Sequence, residues 1–163
     1  MLKLIRVTFY SILVMFLLDI FDVFQTKIGF IKALTYYGVL ILPIPLLLME
    51  FKTNLSFSKS ILRKGIPMLA IIGLLFLNPL RIIFNTSAWK TQTVALVNGK
   101  MTNHKVEFQM KDIGAFGYAK RKAEVIYFSE HFYIVWAKKY DERNFSGHQW
   151  KRVDEDINEM GLK

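Results

Sequence analysis

Long apolar runs fill the first half of the chain and short alternating stretches fill the second, with the change near Trp89. The first run extends from about Leu4 to Phe24. As a helix rising 1.5 Å per residue it covers about 30 Å, the thickness of a bilayer's hydrocarbon core. Lys3 and Arg6 at its start resemble the basic end of a secretory signal. The run closes on Asp19-Ile-Phe-Asp22-Val-Phe-Gln25, without the small residues a signal peptidase needs. The pattern therefore predicts a retained helix over 4–24.

The second run, 33–50, contains Tyr36-Tyr37-Gly38 and Pro43-Ile44-Pro45. Each proline removes a helical hydrogen bond. Neighbouring helices tolerate such a kink inside a membrane. A second transmembrane helix is expected here, with a re-entrant or interfacial segment as the alternative. The third run, 66–84, starts at Gly65-Ile66-Pro67, where proline suits a first helical turn. Asn78, Pro79 and Arg81 interrupt its far end. Tyr36, Tyr37 and Trp89 flank these runs where aromatic rings anchor at a membrane interface.

Beyond Trp89 the period changes to two. Strands are expected at Thr91–Val97, His104–Met110, Ala115–Ala119, Glu124–Phe128 and Phe132–Ala137, with Asn98-Gly99 as a hairpin signal. Lys120-Arg121-Lys122 reads as a basic turn. The stretch from Lys138 to Trp150 is polar and irregular. Asp154–Met160, with acids first and Gly161 at its end, reads as a short helix. The fold class expected is thus three transmembrane helices in residues 1–88, then an antiparallel sheet of four to five strands and a short C-terminal helix in 89–163.

Charge sharpens the division. The chain has 163 residues, 22 basic and 13 acidic, for a net charge of +9. Before residue 85 the acids are only Asp19, Asp22 and Glu50, and the bases there sit in the gaps between apolar runs. That placement suits a membrane protein's topogenic lysines and arginines and argues against nucleic acid as the partner. Lys3, Arg6, Lys52, Lys59, Arg63 and Lys64 fall on one side of three crossings, Lys27 and Lys32 on the other. The positive-inside rule then places the N-terminus in the cytoplasm. The C-terminal domain lies outside the cytoplasmic (inner) membrane if all three segments cross, and inside if the second does not.

Four polar residues fall at membrane depth: Asp19 and Asp22 on the first helix, Asn78 and Arg81 on the third. Members of each pair are three apart and share a helix face. Charges in lipid pair or face a protein interior. Arg81 is therefore expected to bond one or both aspartates, as a structural tie, an ion site or a docking point. Glu50 is expected at the interface near Arg63 and Lys64.

The absence of cysteine excludes disulfides, thiolate metal sites and cysteine nucleophiles. There is no phosphate-binding glycine loop, no nucleophile elbow and no metal spacing among His104, His131 and His148. No catalytic residue, cofactor or metal is expected. The sequons at Asn54, Asn85 and Asn144 bear only on a secretory pathway, and only Asn144 is placed to use one. Lys120, Arg121 and Lys122 suit anionic headgroups or an acidic partner. The expectation is a small non-enzymatic membrane protein that acts through a protein partner or homo-oligomer, as an accessory subunit of an envelope complex. An immunity protein against a membrane-acting toxin and a transporter or channel component are the alternatives.

Overall fold

In the computed structural model, residues 2–53, 57–78, 82–83, 85–137 and 149–162 are described. The chain divides into two compact units. Met1–Leu17 with Phe30–Thr86 is helical, and Leu18–Gly29 with Ser87–Lys163 carries a sheet.

The helical unit is built from α1 (Leu2–Ile20), α2 (Gly29–Ile41), α3 (Pro43–Phe51) and α4 (Phe57–Phe76). α2 and α3 run on as one 23-residue rod, Gly29–Phe51. The N–H of Leu42 still donates to Gly38 (2.9 Å) and that of Leu46 to Leu42 (3.2 Å), so the prolines do not break the rod. Pro43 and Pro45 stand in the first turn of α3, where a missing N–H costs least. Phe9, Phe16, Tyr36, Val39 and Leu46 are buried in this unit, with Phe16 edge-on to Tyr36 at 5.2 Å. Gly38 permits the approach of α1, since a Cβ there would stand 2.8 Å from Ile12 Cδ1. Glu50 is fully buried, and its Oε1 accepts from Arg6 Nε at 2.8 Å.

Three transmembrane helices are not what the structure contains. Among the described residues one helix, Gly29–Phe51, is long and apolar enough to cross a bilayer. α1 stops at Ile20 rather than Phe24 and carries Lys3, Arg6 and Asp19. α4 begins nine residues earlier than expected, so Pro67 is internal and the sequence of the helix includes Lys59, Arg63 and Lys64. Three charges in a rod of about 20 residues are costly at bilayer depth. The twin-proline segment, the least regular by sequence, is the one that qualifies. The orientation argument loses its premise with the three crossings. Glu50 is turned onto Arg6 within the protein.

The second unit holds β1 (Phe24–Thr26), β2 (Lys90–Asn98), β3 (His104–Asp112), β4 (Tyr118–Tyr127), β5 (Phe132–Ala137) and β6 (Trp150–Asp156). All six form one antiparallel sheet in the order β1-β5-β4-β3-β2-β6. β2 to β5 are a meander, and the two ends of the unit's chain add the outer strands. Asn98 makes the expected turn, its Oδ1 accepting from the N–H of Lys100 and Met101.

This sheet has more strands than the four to five expected, and the C-terminal helix is a strand. β1 comes from the end of the first apolar run. Asp22, in the left-handed region at φ 54°, ends the helical path, and Phe24–Thr26 then pairs with Phe132–Ile134. β6 occupies part of the stretch read as a helix. Its acids suggested a helix start, but they lie along β2, around an irregularity at Asp154 (φ 44°). The basic triplet is no turn. It lies inside β4, and the turn before it is Gly114–Phe116, where Gly114 and Gly117 hold positive φ. Three consecutive cations are unusual in a strand, but alternation sends them to opposite faces. The irregular stretch 138–148, with Asn144 and His148, and also Asn54 and Arg81, lie outside the described residues.

Candidate functional site

Alternation along β3 places Val106, Phe108 and Met110 on one face and Lys105, Glu107, Gln109 and Lys111 on the other. The polar face is the unexpected one. Glu107 is 2 % exposed and Gln109 is fully buried. Burying a carboxylate is costly unless hydrogen bonds replace its water. Oε2 of Glu107 takes three: from Thr91 Oγ1 on β2 (2.7 Å), Gln109 Nε2 (2.9 Å) and Tyr127 Oη on β4 (2.9 Å).

The network continues both ways across the sheet. On one side Lys27 Nζ, just beyond β1, donates to Thr91 Oγ1 (2.8 Å) and to Glu159 Oε1 (2.6 Å). Glu159 Oε2 in turn accepts from the Thr91 N–H at 2.8 Å. A bulge in β2 makes this seating possible. Its Gln92 carbonyl accepts from the N–H groups of Ile157 and Asn158 and holds the tail after β6 in place. The Lys27 ammonium also sits 4.8 Å from the Tyr127 ring centre. On the other side Arg121 of β4 donates to Gln109 Oε1 (2.8 Å), Tyr133 Oη (3.3 Å) and Asp22 Oδ1 (3.4 Å), and lies 4.1 Å over the Trp89 ring. Gln25 of β1 donates to Asp22 Oδ1 and to the Asp19 carbonyl, each at 3.0 Å.

Burial pushes the Tyr127 phenol far above its ordinary value of 10, and the charge on Glu107 adds to the rise. Burial also raises Tyr133, with the Arg121 guanidinium opposing it. Both phenols stay protonated throughout the physiological range, Tyr127 donating to Glu107 and Tyr133 accepting from Arg121.

A cleft of about 370 Å³ opens on this network, lined by Lys27, Thr91, Asn103, Lys105, Glu107, Tyr127, Glu130 and Glu159 among others. It presents both signs of charge beside hydroxyl groups. Thr91 accepts from an ammonium and donates to a carboxylate, so its hydroxyl is fully engaged in the network. Lys27 is committed to an ion pair. The arrangement suits reversible polar binding and the tying together of strands that are distant in sequence. Among the described residues no group of histidine and carboxylate side chains is placed to hold a metal ion. His104 is instead paired with Glu124 (2.7 Å) and edge-on to Trp150.

The residues singled out by sequence fall as follows. Asp19 is buried at the end of α1, and Asp22 is joined to Arg121. Asn78 belongs to the helical unit, in the left-handed region at φ 59°, and Arg81 is outside the described residues. Lys120 and Lys122 are exposed on the face of β4 opposite Arg121. Tyr36 is buried with Lys32 over its ring, Tyr37 is exposed, and Trp89 stacks on Arg121. Lys27, Thr91, Glu107, Gln109, Tyr127, Tyr133 and Glu159 were not anticipated. The only signal was the polar run at period two in β3, which reads the same for a solvated face. A scan of family models and searches of curated proteins and solved structures found no match.

Proposed function

We propose that this chain is a non-enzymatic membrane protein that acts by binding another protein, its helical unit held in lipid and its β unit offered to the partner as an accessory subunit. One observation carries the membrane part. The Gly29–Phe51 rod exposes Phe30, Leu34, Tyr37, Ile41, Ile44, Leu48 and Phe51, a stripe with alternating steps of four and three residues. Phe30 is 75 % exposed. α1 exposes Leu4, Val7, Val14 and Leu17, and α4 exposes Leu69, Leu75 and Phe76. A large apolar side chain left in water forgoes about 1.5–3 kcal/mol of burial. Lipid solvates such a face, and Gly29–Phe51 is the one rod among the described residues long and apolar enough to cross a bilayer. The binding part is supported by the cleft and its hydrogen-bonded polar floor, which offer recognition groups of both charge signs.

Washing membranes of expressing cells with carbonate at pH 11 tests the first part. The chain should stay in the pellet, and its release would refute lipid embedding. Mild detergent extraction tests the second. A stoichiometric complex is expected, and its loss on Lys105→Glu or Glu130→Lys in the cleft would tie it to the β unit. A partner-free, monodisperse chain from native membranes would refute the binding role.

A further inference from the structure

The sheet is polarised from edge to edge. β6 forms one edge, with Lys151, Arg152, Asp154, Glu155 and Asp156 exposed. At the other edge, β1 and β5 with the turn before β5 carry Phe24, Phe128, Phe132, Ile134 and Trp136. Phe24 stacks on Phe132 at 5.8 Å and approaches Phe128 at 6.5 Å. Phe24 pairs with Ile134, and Phe132 and Trp136 are two residues either side of Ile134, so all four share one face. Trp136 is 70 % exposed and Phe128 65 %. The sheet curls, so that Lys27 beyond β1 reaches Glu159 beyond β6 at 2.6 Å, while Lys151 stands at the other end of β6, paired with Val97.

The chain itself limits where the aromatic edge can lie. Thr26 ends β1, and Gly29 begins the Gly29–Phe51 rod after only Lys27 and Ile28. Three residue steps reach at most about 11 Å. If that rod crosses the bilayer, its first residue is at the interface and β1 is within about 11 Å of it. Aromatic rings, tryptophan above all, favour that zone, where an apolar body meets polar headgroups.

We infer that the β1–β5 edge, through Phe24, Phe128, Phe132 and Trp136, rests on the headgroup zone of the bilayer. The inference depends on the membrane reading above. The occupant is the lipid interface; a protein lying on the same edge is an outcome of the test.

The chain lacks cysteine, so a single introduced thiol can be labelled cleanly. Four full-length variants, Trp136→Cys, Phe128→Cys, Lys151→Cys and Ile44→Cys, would each carry an environment-sensitive fluorophore in phosphatidylcholine vesicles. A nitroxide placed near the lipid headgroup is the quencher. Positions 136 and 128 should be quenched at least threefold more than position 151. Position 44 should be quenched more by a nitroxide deep in the acyl chain. If 44 is quenched but 136 and 128 behave like 151, the aromatic edge does not touch lipid and the membrane reading stands. If 44 is not quenched either, both fail. If 136 and 128 are shielded from the lipid nitroxide and from aqueous iodide alike, a protein covers the edge and the inference is overturned. Phe128→Cys keeps Trp136, and Trp136→Cys keeps Phe128, so a folding defect in one leaves the other informative.

Discussion

Removing the carboxylate of Glu107 should weaken the β unit more than any single exposed-residue change. Hydrogen bonds to an ionised group contribute about 1.5–3 kcal/mol each, and Oε2 of Glu107 receives three. Glu107→Ala leaves the Thr91 hydroxyl, the Gln109 amide and the Tyr127 phenol without their acceptor, at about 1–3 kcal/mol apiece. Relief from holding a buried charge offsets several kcal/mol of that sum. A net loss of about 3–5 kcal/mol is the expected result. Glu107→Gln keeps one carbonyl oxygen for the three donors and should cost only about 1–2 kcal/mol. Trp89, Trp136 and Trp150 all lie in the β unit, so tryptophan emission reports on it without interference from the helices. Urea titration of the detergent-solubilised chain, with the midpoint and slope fitted together, gives the free energies. A Glu107→Ala loss below about 1 kcal/mol, or a Gln variant weaker than the Ala variant, would show that the carboxylate is not the hub of the network.

Alkaline pH should act through the two tyrosines. Their phenols are raised in the folded state, so the unfolded chain releases protons first, near pH 10. The stability they contribute is complete below that pH and falls as pH rises above it, by about 1.4 kcal/mol per pH unit for each phenol. Tyr127→Phe should remove half the slope of an alkaline urea series, and an unchanged slope would contradict the burial argument. In the helical unit, Arg6→Ala strands the buried Glu50 and should cost about 3–5 kcal/mol, while Arg6→Met with Glu50→Leu should recover most of it. Helical ellipticity on heating checks this, and a silent Arg6→Ala would remove the ion pair from the account. Gly38→Ala presses on the end of the Ile12 side chain while gaining helix propensity, so a net change within about 1 kcal/mol is expected, and Ile12→Val beside it should make the alanine more favourable in a double-mutant cycle. Strict additivity would show that the helices do not meet there.

Much of the architecture was legible in local pattern. The twin-proline rod, the start of the β region near Trp89, the Asn98 turn and strands β2, β3 and β5 follow from periodicity that each element carries within itself. The third apolar run, by contrast, begins nine residues early, and the strand expected at Ala115–Ala119 is largely the turn that leads into β4. The two missed strands share a cause: long-range pairing overrode local propensity. Phe24–Thr26 became a strand only because β5 offers it an edge, and Trp150–Asp156 because β2 does. Pro43 and Pro45 looked disruptive, yet first-turn placement in α3 neutralised them. The polar network escaped notice for a related reason. Glu107 and Gln109 sit at the spacing of an ordinary wet face, and no local rule says that Tyr127, Tyr133 and Arg121 will close over it. The pattern sets Asp22 inside the apolar run 4–24 and so at membrane depth, but its cation, Arg121, lies about a hundred residues further along.

The three residues of β1 also impose an order on assembly. Phe24 is synthesised about 110 residues before Ile134, its partner. While the chain emerges, the link between the first two rods has nothing to pair with, and Lys27 waits longer still, for Glu159. Closing so large a loop is entropically unfavourable until β2 to β5 have formed a platform to receive it. The first strand made is therefore among the last to be locked. A chain truncated before Phe132 would leave Phe24–Thr26 without its partner strand, its backbone groups unpaired and the Phe24 ring without Phe132 to stack on.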